Sequence, residues 1–346
     1  MFYFPDTMSK WPWQRTVSPH FHDVDAESDA WFRSLGVLQP RSQTAFDRGN
    51  FGLLAALAYP KASREHFRTA CDIMRVTFII DEYTDIADAV ATRQMVDIMI
   101  DALHNPDKPR AEGEVVLGEL VRQFWVLAAR SASAASQRHF LKEFPAYLRS
   151  LVTEAADRDT GNRRSIDGYM AIRRDTIGTR PVFMALELAL ELPDDVYYHP
   201  QVVALAGYIS DIIILDNDIA SYSREQATGD ENHNIVTVAM HELGVDIGSA
   251  VAWAAGYHGE LAGRFIGGLA GVPSWGAAID AQLQVYLHGM ANWARANSCW
   301  SFESGRYFGT RGREIQRTRL VPVLPKSRQD SDPCRGRDVV VPEVEM

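Results

Sequence analysis

The chain has 346 residues, 46% of them hydrophobic and 23% charged, with a formal net charge of −10. That composition is globular, and the acidic balance excludes a nucleic-acid surface, which needs a basic stripe. An anionic substrate stays open, because bound metal ions or arginines can reverse the field at one site.

The first stretch, MFYFPDTMSKWPWQRTVSP, has no basic-then-apolar targeting pattern. The two histidines of HFHD at 20–23 read as an N-terminal loop, and DVDA at 23–26 falls short of a DxDD acid motif. Apolar periodicity then predicts helices over about 42–58, 62–91, 92–104, 113–129, 132–157, 165–177, 181–191, 198–226, 246–271 and 274–297. AYPKAS, HNPDKPR, ELPDDVYYHP and GGLAGVPSW read as the turns between them. No alternating run supports a strand, and no repeat or Gly/Ser linker divides the chain. The most apolar window, VVALAGYISDIIIL, is too short and interrupted for a membrane span. Three scattered cysteines, Cys71, Cys299 and Cys334, form no CxxC pair and read as reduced thiols of a cytoplasmic protein. The expected fold is all-α, one domain over 1–320, with a polar, proline-spaced segment over 321–346 expected to be disordered.

The segment TFIIDEYTDIA sets carboxylates directly after an apolar run. On a helix, Met74, Phe78, Asp81 and Asp85 share one face, with the two aspartates about 6 Å apart along the axis. Like charges at that spacing repel unless a cation sits between them, and oxygen-only ligands suit Mg²⁺. The other reading is a solvated helix end. Further on, ILDNDIASYSREQATGDENHNIV sets Asn217, Ser221 and Glu225 at i, i+4 and i+8, an all-oxygen set for one hard divalent ion. Asn and Ser are poor mid-helix residues, so the spacing asks for a reason beyond propensity. Its alternative is a helix nearing its polar C-terminus.

DEYTD followed by NDIASYSRE resembles the D(D/E)xxD and NDxxSxxxE pair of class I terpene cyclases. The resemblance implies a helical bundle around an apolar active-site cavity, three Mg²⁺ ions and a prenyl diphosphate substrate. Asp81 and Asp85 would then hold two ions, and Asn217, Ser221 and Glu225 the third. In AIRRDTIGTRP, Arg174 stands three residues before Ile177–Gly178, like the family's diphosphate-sensing arginine ahead of a helix break, with Arg173 as the alternative. Bacterial members often carry Asp where Ile177 stands. Arg224 occupies the place of a diphosphate-binding lysine, and Arg306–Tyr307 match the Arg–Tyr pair that closes over the diphosphate. Asp81, Arg174, Arg306 and Tyr307 are the implied catalytic residues. Phe78, Gly178 and Trp300 are candidates for the cavity wall, with Phe302, Phe51, Tyr59 and Tyr208 further choices.

The likeness extends to about residue 325. FPDTMSKWPWQR, RRDTIGTRPVF, GDENHNIVTVAM and WSFESGRYFG are similar to basidiomycete sesquiterpene synthases, most of all to the Δ6-protoilludene group. That implies farnesyl diphosphate as substrate and 1,11-closure through a humulyl cation to a tricyclic hydrocarbon. It implies no nucleic-acid partner, no membrane span, and a monomer or homodimer. The alternatives are a cyclase making another C15 hydrocarbon and a non-catalytic helical binding protein of the same fold.

Overall fold

The computed structural model describes residues 1–326. An extended strap opens the chain, with β1 (Phe2–Tyr3) at its start, and leads into α1 (Phe21–Ser34). This helix buries only Val24, Ser28 and Phe32, a stripe too narrow for its polar sequence to signal a helix. The helix expected over 42–58 is two, α2 (Pro40–Asp47) and α3 (Phe51–Ala58). They part at Asn50, whose left-handed backbone (φ 45°) and side-chain oxygen, accepting from the Leu53 N–H, start α3. Asn tolerates that conformation better than most residues.

Next come α4 (Arg64–Thr84), α5 (Ala89–His104), α6 (Leu117–Ala128) and α7 (Ala134–Thr160). Ser63, Asp88 and Ser133 cap α4, α5 and α7 by accepting from a backbone N–H three residues on. α8 (Ile166–Thr176) and α9 (Thr179–Glu187) are parted by Gly178, and a short α10 (Asp194–Tyr197) precedes α11 (Pro200–Thr228). Pro200 starts α11 where its missing N–H costs nothing. α12 (Ile235–Leu243), α13 (Ile247–Gly268), α14 (Ala277–Glu303) and α15 (Gly312–Thr318) complete the helices.

α4, α7, α8, α9, α11 and α14 line one central cavity. α5 and α6 back α4 and α7, α12 and α13 back α11, and α3 bridges α4 and α14. The all-α expectation holds, apart from a two-residue ladder in which Phe2 pairs with Val321 of β2 (Leu320–Val321). The packed chain therefore runs past the expected boundary at 320. Val321 is fully buried, and the Leu324 N–H donates to Ser223 Oγ. The rest of the segment expected as a disordered tail, 327–346, lies outside the described residues. Among those described, no single helix is long and apolar enough to cross a membrane.

Candidate active site

The cavity holds about 830 Å³, a volume suited to a small organic ligand. Its floor is apolar: Met74 and Phe78 of α4, Leu151 of α7, Val182 of α9, Ile213 of α11 and Trp293 of α14. Its mouth is charged. Asp81 lies one turn above Phe78, and Asp85 follows as the last residue of that face.

Burial, then the charge of Glu154, pushes the Asp81 carboxyl up to about 7, although Tyr147 donates its hydroxyl to Asp81 Oδ1 at 3.1 Å. Asp85 sits at the open rim. Close protein walls and the charges of Asp81, Glu154 and Glu82 push it upward too, though water at the rim screens part of that effect. Glu154 itself is held below its usual range: His233, Arg173 and Arg158 outweigh its burial. The third carboxylate of DEYTD, Glu82, is paired with Arg306 across the mouth (Oε1 to Nη1, 2.5 Å). Arg158 donates to the Thr84 and Ala87 carbonyls at 2.7 and 2.9 Å, which anchors the C-terminal end of α4.

Asn217 and Glu225 of α11 face this acidic wall across the cavity. Asn217 donates to the Tyr307 hydroxyl (2.7 Å) and accepts from Arg173 Nη2 (3.2 Å). Burial, then Asp218, pushes Glu225 up to about 7. Ser221, expected beside them, is buried behind the wall, and its Oγ lies 3.4 Å from the Asp218 carbonyl.

The arginines settle differently from the sequence expectation. Arg174 turns away from the cavity and forms a two-pronged pair with Asp211 (2.5 and 2.8 Å). Its neighbour Arg173 lines the cavity, 3.5 Å from Asp218, with a buried Nε that has no partner among the described residues. Arg306 also keeps a buried Nε unpartnered among them. Arg224 lines the same wall, its pKa lowered by burial and by the charge of Arg306. Unused guanidinium donors and two crowded positive charges mark a place for an anion.

Phe78 and Gly178 line the cavity as expected, but Trp300 does not. It is fully buried behind Phe78 (centroids 5.5 Å), with its indole N–H donated to the Gly49 carbonyl. Phe51 likewise backs Phe78, and neither Phe302 nor Tyr59 reaches the wall; Tyr59 donates to the Val182 carbonyl and Phe302 stacks on Phe308. Tyr208 is also off the wall. Sequence reading missed Tyr147, Glu154, Arg158 and Asn297, single polar residues with no motif around them, and His233, which stands inside GDENHN without being singled out.

The donors suit a hard divalent cation: oxygen ligands, and carboxyls whose mutual repulsion a cation relieves. No three His, Cys, Asp or Glu side chains among the described residues enclose an ion by themselves. Such a cation would fill its shell with water or substrate oxygens.

Comparison with known proteins identifies the family. Residues 72–262 match the model of terpene synthase family 2, C-terminal metal binding. The chain is 54% identical to Delta(6)-protoilludene synthase 18 of Postia placenta, over 99% of this chain and 97% of that protein. It is 50% identical to sesquiterpene synthase 14 of the same fungus, over 100% and 98%. A Delta(6)-protoilludene synthase of Stereum hirsutum is 47% identical over 95% and 89%. Among solved structures, a single-substitution variant of cucumene synthase superposes with a TM-score of 0.76 at 20% identity, covering 85% of this chain and all of that one. Hedycaryol synthase in complex with HEPES gives 0.75 at 20%, covering 87% and 98%; these two speak to the fold alone. The chain belongs to the terpene synthase family, metal-dependent lyases that act on prenyl diphosphates.

Proposed function

We propose that this chain is a cytoplasmic sesquiterpene synthase. It ionises farnesyl diphosphate with three Mg²⁺ ions and cyclises the chain by 1,11-closure, through a humulyl cation, to Δ6-protoilludene, releasing diphosphate. The observation that carries the reading is the meeting of Asp81 and Asp85 with Asn217, Glu225 and three arginines above an apolar chamber. The 54% identity to proteins named Delta(6)-protoilludene synthase supports the product.

Asp81 and Asp85 would hold cations on one wall, and Asn217 and Glu225 on the other; Ser221, the remaining ligand in the family pattern, lies buried behind that wall. Mg²⁺ held there would supply the positive charge that stabilises the departing diphosphate. Arg173, Arg224, Arg306 and the Tyr307 hydroxyl donate to the diphosphate oxygens as the C–O bond breaks. Arg173 takes the sensing role that the family pattern gave to Arg174, whose pairing with Asp211 fixes α8 on α11. Phe78 and Trp293 put aromatic side chains on the wall beside the cationic chain, and the apolar floor keeps water from quenching it. The departing diphosphate accepts the final proton in this reading. On the same reading the protein acts as a monomer or homodimer.

The test is product analysis. The protein is incubated with Mg²⁺ and, separately, geranyl, farnesyl and geranylgeranyl diphosphates, and the extracts are read by gas chromatography–mass spectrometry. A dominant tricyclic C15 hydrocarbon from farnesyl diphosphate, absent with EDTA and with Asp81→Ala, is the expected result. Another C15 skeleton would overturn the product and keep the reaction class. No hydrocarbon from any substrate would overturn the proposal.

A further inference from the structure

We infer that Asn234 is a positioning residue for the metal-binding half-site of α11. Its side-chain amide clamps the helix at two places, the Asp218 carbonyl and Glu225, and holds the oxygen donors in register for a divalent cation. The inference rests on the metal-dependent reading proposed above.

Asn234 is fully buried at the start of α12, in the polar stretch GDENHN that joins this helix to α11. Its Oδ1 accepts from the Val236 N–H at 2.8 Å and caps α12. Its Nδ2 points the other way, at α11. It donates to the Asp218 carbonyl at 2.8 Å and to Glu225 Oε2 at 2.9 Å, with Ser221 Oγ farther off at 3.4 Å. These partners stand at i, i+3 and i+7, one face spanning about 10 Å of helix axis. An amide nitrogen carries two hydrogens, so the two short bonds use them and the Ser221 hydroxyl keeps its lone pairs. The bond to Glu225 fixes the rotation of its carboxylate.

The adjacent backbone adds a second grip. The Ile235 N–H donates to Asp218 Oδ2 at 2.9 Å, and the Tyr169 hydroxyl donates to the same oxygen at 2.5 Å. Asp218 in turn lies 3.5 Å from Arg173. One turn thus ties together the half-site, α8 and the cavity arginine.

The choice of amide is informative. Asp or Ser would cap α12 about as well, because capping needs only an oxygen acceptor. Neither could also give hydrogen bonds to the Asp218 carbonyl and to Glu225. Asp would set a second negative oxygen beside Glu225. The donor end of Asn234 therefore serves α11 rather than α12.

The experiment compares full-length wild type with Asn234→Asp and Asn234→Ser. Both variants keep the cap, and Asn234→Ser carries the test alone should the charged variant prove unstable. Thermal unfolding is followed while Mg²⁺ is titrated at fixed inorganic diphosphate. The expected result is a lower ligand-free melting temperature, because the Asp218 carbonyl and Glu225 lose their buried donor, together with a Mg²⁺ concentration for half-maximal shift raised about tenfold or more. Variants that melt earlier yet keep the wild-type Mg²⁺ dependence would overturn the inference and leave Asn234 as a helix cap. A wild type that shows no Mg²⁺-dependent shift would overturn the metal reading itself, and the inference with it.

Discussion

Neighbouring residues on a helix point about 100° apart, and Arg173 and Arg174 show what that does. One enters the cavity and the other pairs with Asp211. Arg173→Ala is expected to lower kcat/KM by about 10² or more, the order seen when one donor to developing negative charge is removed. Arg174→Ala should lower the melting temperature by stranding buried Asp211, with kcat/KM within about threefold of wild type. Steady-state kinetics on both variants decides the assignment.

Asp81 titrates near 7 in the ligand-free fold, against an ordinary value of 3.8. A raised carboxyl means that the folded state holds the proton longer than the unfolded one. Ligand-free stability therefore falls as pH rises between about 4 and 7. Cation binding needs the deprotonated form, so protons compete below pH 7. The melting shift given by Mg²⁺ plus diphosphate should grow from pH 6 to pH 8; a flat profile would contradict the placement of Asp81.

Asn297 is a polar group on the cavity wall, 3% exposed, with no partner for its Nδ2 among the described residues. A buried amide left unpaired costs about 1–3 kcal/mol, so its dipole is available to the chain folded against it. Asn297→Leu should redistribute the hydrocarbon products while total diphosphate release stays within about threefold, as read by mass spectrometry and a phosphate assay.

At this scale DEYTD and NDIASYSRE were legible because donor atoms recur at helical spacing within a few residues. Glu154 and Tyr147 were not, since each is one polar residue in a 27-residue helix. Trp300 misled because a large aromatic near Arg306 fits a wall as well as the layer behind it.

Among the elements, the break between α8 and α9 positions the most chemistry. Gly178 carries φ +73°, a left-handed turn that re-aims the chain just after Arg173. Pro181 lies inside the first turn of α9, where it is tolerated. A Cβ at 178 has room, its nearest neighbour being Tyr147 at 3.6 Å, so Gly178→Ala tests the backbone alone. It should cost about 1–2 kcal/mol, read as a lower melting temperature, and slow turnover by shifting Arg173. The long cavity helices were readable from periodicity because each buries a broad face. The helices α12 and α15 were not foreseen; at seven residues α15 offers too few turns to establish a period.

For the whole molecule, the N-terminal strap is the binding that holds the last segment in place. Phe2, Phe4, Met8 and Trp11 are buried, and Thr7 donates to Asp216, next to Asn217. Phe4 packs edge-on against Phe302 and Phe308, beside Arg306 and Tyr307. Arg295 returns the contact by donating to the Met8, Trp11 and Trp13 carbonyls. Each buried Phe or Met contributes about 1.5–3 kcal/mol. Deleting residues 1–8 should therefore lower the melting temperature markedly and slow turnover, because the support beneath Arg306 and Tyr307 is lost with it.

The ladder between Phe2 and Val321 joins the two ends of the described chain. On the ribosome the first of these strands emerges long before its partner exists. At roughly 5–20 residues per second, it waits on the order of twenty seconds to a minute. During that interval Phe2, Phe4 and Trp11 have no finished surface to cover. The newborn strap thus stays uncovered for most of that interval, and becomes a fastening only when α15 and β2 arrive.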